Sequence, residues 1–280
     1  GNLFEIPELA LAGREDTLLA VPAPEDLLPL PLGSDLFHLP GRLPVGIDRS
    51  TGEAVTIEEY EGTKVVATGA FIAPAYTAYY HPAWEVEEGA PRLPLYAYCA
   101  LGWADEAGFV VPAERVDPDV RQDHDQYDSS QIDRRGREMK LRYPKNRLAS
   151  HLMNNCLLTY NCPAARNFAF ERWEMPLPTA PKCNSRCFGC ISQQPKKGFA
   201  ISQQRLDFVP TAEEIAGIAI PHLEKAERPV ASFGQGCEGE PLTNPELLEE
   251  AIRAIRAATS RGTINLNTNG SLPGAVEKLF

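Results

Sequence analysis

The 280-residue sequence has no run approaching the roughly 18 uninterrupted apolar residues of a membrane-spanning helix. Its start has no basic segment followed by an apolar one, so no secretory leader is predicted. Basic residues are the minority charge, 27 Lys and Arg against 38 Asp and Glu, a net charge of −11. A phosphate-binding surface needs the opposite excess, so nucleic acid is not expected as a partner. Cysteine is sparse: the 7 present are an odd number, concentrated in the second half, which excludes the pattern of a secreted disulfide framework. These absences predict a soluble, cytoplasmic protein with no membrane partner. At 43% hydrophobic, the chain has enough apolar content to bury a core and is predicted to hold two domains.

What is there changes along the chain. Residues 1–40 are rich in Leu and Pro with little periodicity and read as an extended lead-in. From about 41 to 116, short apolar runs (Leu43–Ile47, Ala54–Ile57, Lys64–Ile72, Leu95–Leu101, Phe109–Val111) alternate with turn signals such as Arg49-Ser-Thr-Gly52 and Asp105-Glu-Ala-Gly108. They predict a small antiparallel β domain, with a barrel as one closure. Tyr76, Tyr79, Tyr80, His81 and Trp84 fall in one predicted loop, read as a packing surface with a binding surface as the alternative. Cys99 lies inside an apolar run and reads as a small core residue. Residues 117–175 are read as an acidic linker and helical segment. Arg134 to Arg147 holds seven basic residues within fourteen, either a solvated helix face paired with the acidic linker or a contact for an anionic partner. Leu148, Leu152, Met153, Cys156, Leu157 and Tyr160 recur at helical spacing, which puts Cys156 in a core; Cys162 precedes Pro163 at the helix end.

Cys183, Cys187 and Cys190 concentrate the functional signal. Thiols spaced C-x3-C-x2-C can turn to one point, which suits a soft metal or an iron–sulfur cluster. A structural zinc site wants four ligands, usually from two separated pairs. Three ligands would leave one iron of a cubane cluster open. A buried strand, Val230–Phe233, then leads into Gly234-Gln-Gly-Cys-Glu-Gly-Glu240-Pro241. A helix is predicted over 244–258, with Pro245 and Glu246 in its first turn and Gly262 past its end, followed by a strand over 263–268. Thr211 and Glu214 form a capping box that starts another helix, predicted to run to Pro221 or a little beyond. Such strand–helix units imply parallel strands. In the strand from Thr263, Ile264 and Leu266 alternate with Asn265, Asn267 and Asn269, which predicts one face on helices and one on a polar lumen. Ile191-Ser-Gln-Gln194 recurs as Ile201-Ser-Gln-Gln204, read as a loop or hairpin insert without chemical role, with Lys196 and Lys197 between the copies as surface lysines.

In this order the motifs resemble the radical S-adenosylmethionine (radical SAM) superfamily over residues 176–280. The resemblance implies a [4Fe–4S] cluster on Cys183, Cys187 and Cys190, with SAM on its open iron. It implies SAM contacts from Gly239-Glu240-Pro241, with Glu240 on the amino group, and from Asn267, Thr268 and Asn269. Phe188 is the aromatic of the cysteine loop, one position before the family's adenine-contacting place, which here is Gly189. Glu238 stands where the family often has the first glycine of its Gly-Gly-Glu. The implied chemistry is one-electron cleavage of SAM to a 5′-deoxyadenosyl radical that takes hydrogen from a substrate, a peptide or a small molecule. An electron donor of flavodoxin or ferredoxin type is the implied partner. The implied fold is the N-terminal part of a partial (β/α)6 TIM-like barrel, apparently truncated at residue 280. A rival reading is a non-catalytic zinc or iron–sulfur module on Cys183, Cys187, Cys190 and Cys237, where Cys237 otherwise reads as a small buried residue.

Overall fold

A computed structural model describes residues 2–194 and 200–279. The chain divides into two compact units, 1–127 and 128–280. Among the described residues no helix is long and apolar enough to cross a membrane.

The first unit is built from short antiparallel strands in five small sheets. Arg42–Asp48 is flanked by Leu9–Leu11 and Trp84–Val86 and also pairs with Ala54–Thr56. Its turn to Ala54–Thr56 is set by Asp48, whose Oδ1 accepts from the Ser50 backbone at 2.7 Å and the Thr51 backbone at 3.0 Å. Gly52 completes that turn at φ +74°, in the left-handed region that a glycine enters without strain. Gly108–Arg115 pairs with Gly102–Ala104, Tyr76–Ala78 and Leu27–Pro29, and its middle is buried because it has partners on both sides. The Leu- and Pro-rich start is not merely a lead-in: residues 9–38 supply five of the strands. The predicted aromatic loop is likewise paired backbone, with His81–Pro82 on Gly13–Glu15, and His81 Nδ1 lies 3.0 Å from the Tyr98 carbonyl. Cys99 is fully buried, and burial pushes its thiol up to about 12, as a small core residue requires.

In the second unit a three-stranded parallel sheet runs Arg172–Pro176, Glu227–Phe233, Thr263–Leu266, with Glu227–Phe233 central. Helices Ala212–Lys225 and Pro245–Ala258 form the two connections and pack on each other. The core joins Phe168, Leu148, Met175, Ile215, Phe233 and Leu248. Residues 128–175 belong to this core, through helices Ile132–Arg142, Arg147–His151 and Pro163–Ala169. After His151 the backbone widens into a π-turn over Leu152–Leu157, with Leu158 N–H on the Met153 carbonyl at 3.0 Å, which buries Cys156. The basic run is a solvated helix face, and among the described residues the carboxylates it pairs with are Glu138, Glu171 and Glu214, not the acidic stretch expected to neutralise it.

The (β/α)6 TIM-like barrel is overturned. The described strands are mostly short antiparallel ones in several sheets, and the parallel sheet has three strands with two open edges, so no barrel closes. Ile264 and Leu266 do pack on the helical core, while Asn265 Nδ2 donates to Ser232 Oγ at 3.0 Å on the other face. That alternation is satisfied by an open sheet, without the lumen a closed barrel would enclose.

The capping box of Ala212–Lys225 is formed in both directions: Thr211 Oγ1 accepts from Glu214 N–H at 3.1 Å, and Glu214 Oε2 from Thr211 N–H at 2.9 Å. Arg147 binds the same carboxylate at 2.7 and 2.8 Å. Thr211→Ala is expected to cost about 1 kcal/mol in a denaturant titration. Hydrogen bonding from Arg147, reinforced by backbone N–H groups, holds the Glu214 carboxyl down to about 2. Because the folded value is the lower one, this contribution is present above the ordinary 4.5 and is lost as pH falls from there through about 2. Arg147→Met is expected to flatten stability against pH in that window; an unchanged slope would show the pair contributes nothing.

Candidate metal and cofactor site

The cysteines lie beyond the C-terminal end of the first parallel strand, in a long segment between Pro176 and Thr211 without helix or strand among its described residues. Long irregular segments inside a compact unit are commonly functional. The strand direction continues briefly past Pro176. Leu177 N–H donates to the Ser232 carbonyl at 2.7 Å, Gly239 N–H to Ala180 at 2.5 Å and Glu240 N–H to Lys182 at 3.0 Å. A Cβ on Gly239 would collide with the Lys182 carbonyl, so only glycine permits this approach.

Two buried carboxylates tie the sheet's loops together. Glu238, 4% exposed, accepts at Oε2 from Thr179 N–H at 2.7 Å and Ala180 N–H at 2.8 Å. Its Oε1 accepts from Gly234 N–H at 2.6 Å and Gln235 N–H at 3.1 Å. One side chain thus joins the ends of two strands. Burial pushes its carboxyl up to about 7, against those four backbone donors, which favour the charged form. Glu240, 3% exposed, accepts at Oε1 from Thr268 Oγ1 at 2.6 Å and Leu242 N–H at 3.0 Å, and at Oε2 from Asn269 N–H at 2.8 Å. Pro241 is buried beside it and opens a single 3-10 turn, Pro241–Thr243.

Asn269 carries the connection to the cysteine loop: its Nδ2 donates to Asn184 Oδ1 at 2.8 Å and Ser185 Oγ at 3.0 Å. Asn184 Nδ2 in turn donates to Ser271 Oγ at 2.8 Å. The motifs at 183–190, 239–241 and 268–270 are therefore one hydrogen-bonded assembly. Asn267 lies at the strand end with its backbone N–H on the Phe233 carbonyl at 3.0 Å. Sequence reasoning missed Asn184, Ser185 and Ser271; their only signal was adjacency to Cys183 and Gly270. Glu238 entered it only as a displaced glycine.

The thiols share a loop but not a point. Among the described residues no group of three or more His, Cys, Asp or Glu side chains is placed to hold a metal ion. Each end sulfur faces its own local donor: Cys183 Sγ accepts from Ser185 N–H at 3.4 Å, and Cys190 Sγ from Arg205 Nη2 at 3.4 Å. Cys187 is exposed on the turn between them, and Phe188 beside it is 75% exposed. The donor set still suits a soft metal, being three accessible or half-accessible sulfurs on a loop free of regular structure. Burial raises the Cys190 thiol, but N–H and hydroxyl donors from Ser192, Gln193 N–H and the Arg205 charge outweigh it and hold it below its ordinary value. That favours the thiolate, the ligating form.

Cys237 does not join them. It is buried in the helical core, and a hydrogen bond with the Cys156 thiol, with burial, pushes its own thiol upward. Cys162, half buried, is raised mainly by burial. Lys196 and Lys197 fall outside the described residues. No protein-family model matches the chain, and neither a curated protein nor a solved structure matches it.

Glu238→Gln sets an amide NH2 against backbone N–H donors. It is expected to cost about 1–3 kcal/mol, the penalty of stranding buried polar groups, in urea unfolding of the full chain. A loss within 0.5 kcal/mol, roughly the scatter of ordinary surface substitutions, would show that the clamp is dispensable.

Proposed function

We propose that the second unit binds a [4Fe–4S] cluster through Cys183, Cys187 and Cys190 and S-adenosylmethionine beside it, and acts as a radical SAM enzyme. The observation that carries this reading is the convergence of three sequence-distant motifs, joined through Glu240 and Asn269. A cysteine loop with no partner task has no need of a buried carboxylate and an asparagine fork to anchor it to two other loops. Bound and given one electron, cluster and SAM would supply reductive cleavage of SAM to methionine and a 5′-deoxyadenosyl radical able to take a hydrogen atom from a substrate.

The chain's own residues would divide the work as follows. The three thiolates hold iron. Asn184 and Ser185, fixed by Asn269, set where the loop begins. Glu240 holds the Thr268–Asn269 turn in place; a carboxylate offers about four lone-pair directions, three are taken here, and the fourth is the one an ammonium group would use. Gly239, Pro241 and Asn267 shape the backbone around it. Phe188, exposed beside Cys187, would cover an incoming ring. The reducing partner is of flavodoxin or ferredoxin type, the substrate a peptide or small molecule, and the compartment the cytoplasm, whose reducing thiol pool suits free cysteines.

Anaerobic reconstitution with iron and sulfide is the test. The full chain is expected to take up about four of each, the content of a [4Fe–4S] cluster. Cys187→Ala is expected to lose most of that uptake, and the loaded wild type with dithionite and SAM to release 5′-deoxyadenosine. A chain that binds zinc instead, or a loaded chain that leaves SAM intact, would contradict the proposal.

A further inference from the structure

The Ile-Ser-Gln-Gln repeat folds back on the cysteine loop. Ser202 and Gln203 N–H both donate to the Ile191 carbonyl, at 2.9 and 3.2 Å, so the second and third residues of the later copy meet the first residue of the earlier one. The chain is then pinned: Gln204 N–H donates to the Tyr160 hydroxyl at 3.0 Å, and Leu206, 1% exposed, donates its N–H to the Cys237 carbonyl at 3.0 Å. Arg205 sits between these anchors. Its Nη2 donates to Cys190 Sγ at 3.4 Å, its Nε to the buried Ser192 Oγ at 3.1 Å, and its Nη1 to Gln193 Oε1. None of the three acceptors is a carboxylate, so this cation is directed at a sulfur and two neutral oxygens.

We propose that Arg205 tunes the reduction potential of the group held by Cys183, Cys187 and Cys190; this rests on the reading of Cys190 as a cluster ligand. The guanidinium keeps its charge at every pH a folded protein meets, and its planar fork spans sulfur, hydroxyl and amide at once. A lysine has no such fork. The step being tuned is a single-electron one: the reductant gives up one electron, the cluster gains it, and no bond forms or breaks. The reduced state is the more negative one, and a fixed cation with an N–H on a ligand sulfur stabilises it. Arg205 thereby raises the potential and eases reduction by the electron donor.

The full chain is reconstituted anaerobically as wild type, Arg205→Lys, Arg205→Gln and Arg205→Leu. Iron and sulfide are counted per chain, and the reduced fraction is read by electron paramagnetic resonance in dithionite-poised mediators. We expect equal loading, and at a fixed poise a reduced-to-oxidised ratio about tenfold lower in the Gln and Leu variants, about 59 mV for one electron, with Lys between. Equal loading with an unmoved ratio in both neutral variants overturns the tuning role. So does loss of loading in both with circular dichroism unchanged, since Arg205 would then be needed to assemble the site. A wild-type chain that takes up no iron and sulfide overturns the cysteine reading itself, and this inference with it.

Discussion

Two carboxylates with almost no access to solvent, Glu238 and Glu240, hold together the loops at the C-terminal ends of three parallel strands. A buried carboxylate is costly unless its oxygens are occupied, and these two meet that condition by accepting from backbone N–H groups on different loops. The donors they need are the orphan N–H groups that strand ends leave behind. Stability and site geometry are thus the same interaction: loosening either carboxylate would strand its own charge and release a loop.

The loop thus fixed is fastened at its ends and free in its middle. Asn184 and Ser185 are anchored to Asn269, and the far end is held by Ser192 and Arg205, while Cys187 and Phe188 stand exposed. Each end sulfur accepts from an N–H of its own, Cys183 from the Ser185 backbone and Cys190 from Arg205. Metal binding would replace those weak contacts with three coordinate bonds, a change centred on the exposed turn in which Cys190 N–H donates to the Cys187 carbonyl at 3.3 Å.

Signals local in sequence were legible. The capping box at Thr211 and Glu214, the Pro245 helix start and the turn at Asp48–Gly52 all rest on contacts within a few residues. The parallel pairing of Glu227–Phe233 with Thr263–Leu266 was legible too, because a crossover helix lies between them; the first strand, Arg172–Pro176, was not, since it falls in the stretch read as linker and helix. Most of what failed depends on distant partners. Leu9–Leu11 pairs with Gly46–Asp48, so no nearby partner announces that strand; Gly13–Glu15 pairs with distant His81–Pro82 but also with adjacent Leu18–Ala20, a local hairpin that was missed in the Leu- and Pro-rich start. The barrel failed for a related reason: repeated strand and helix signals are the same in an open sheet and a closed one, and only the count and edges decide. Arg205 was invisible because its partners lie 12 to 15 residues away, with no spacing rule linking them.

The central claim is that the clamped loops form one site in which the cluster keeps an iron open for SAM. The most direct measurement is the electron paramagnetic resonance spectrum of the reduced, reconstituted chain before and after SAM is added. A reduced-cluster signal whose shape changes with SAM, and which is absent in Cys187→Ala, is expected. A reduced-cluster signal that is indifferent to SAM at saturating concentration would contradict it and leave the cysteines as a closed metal site.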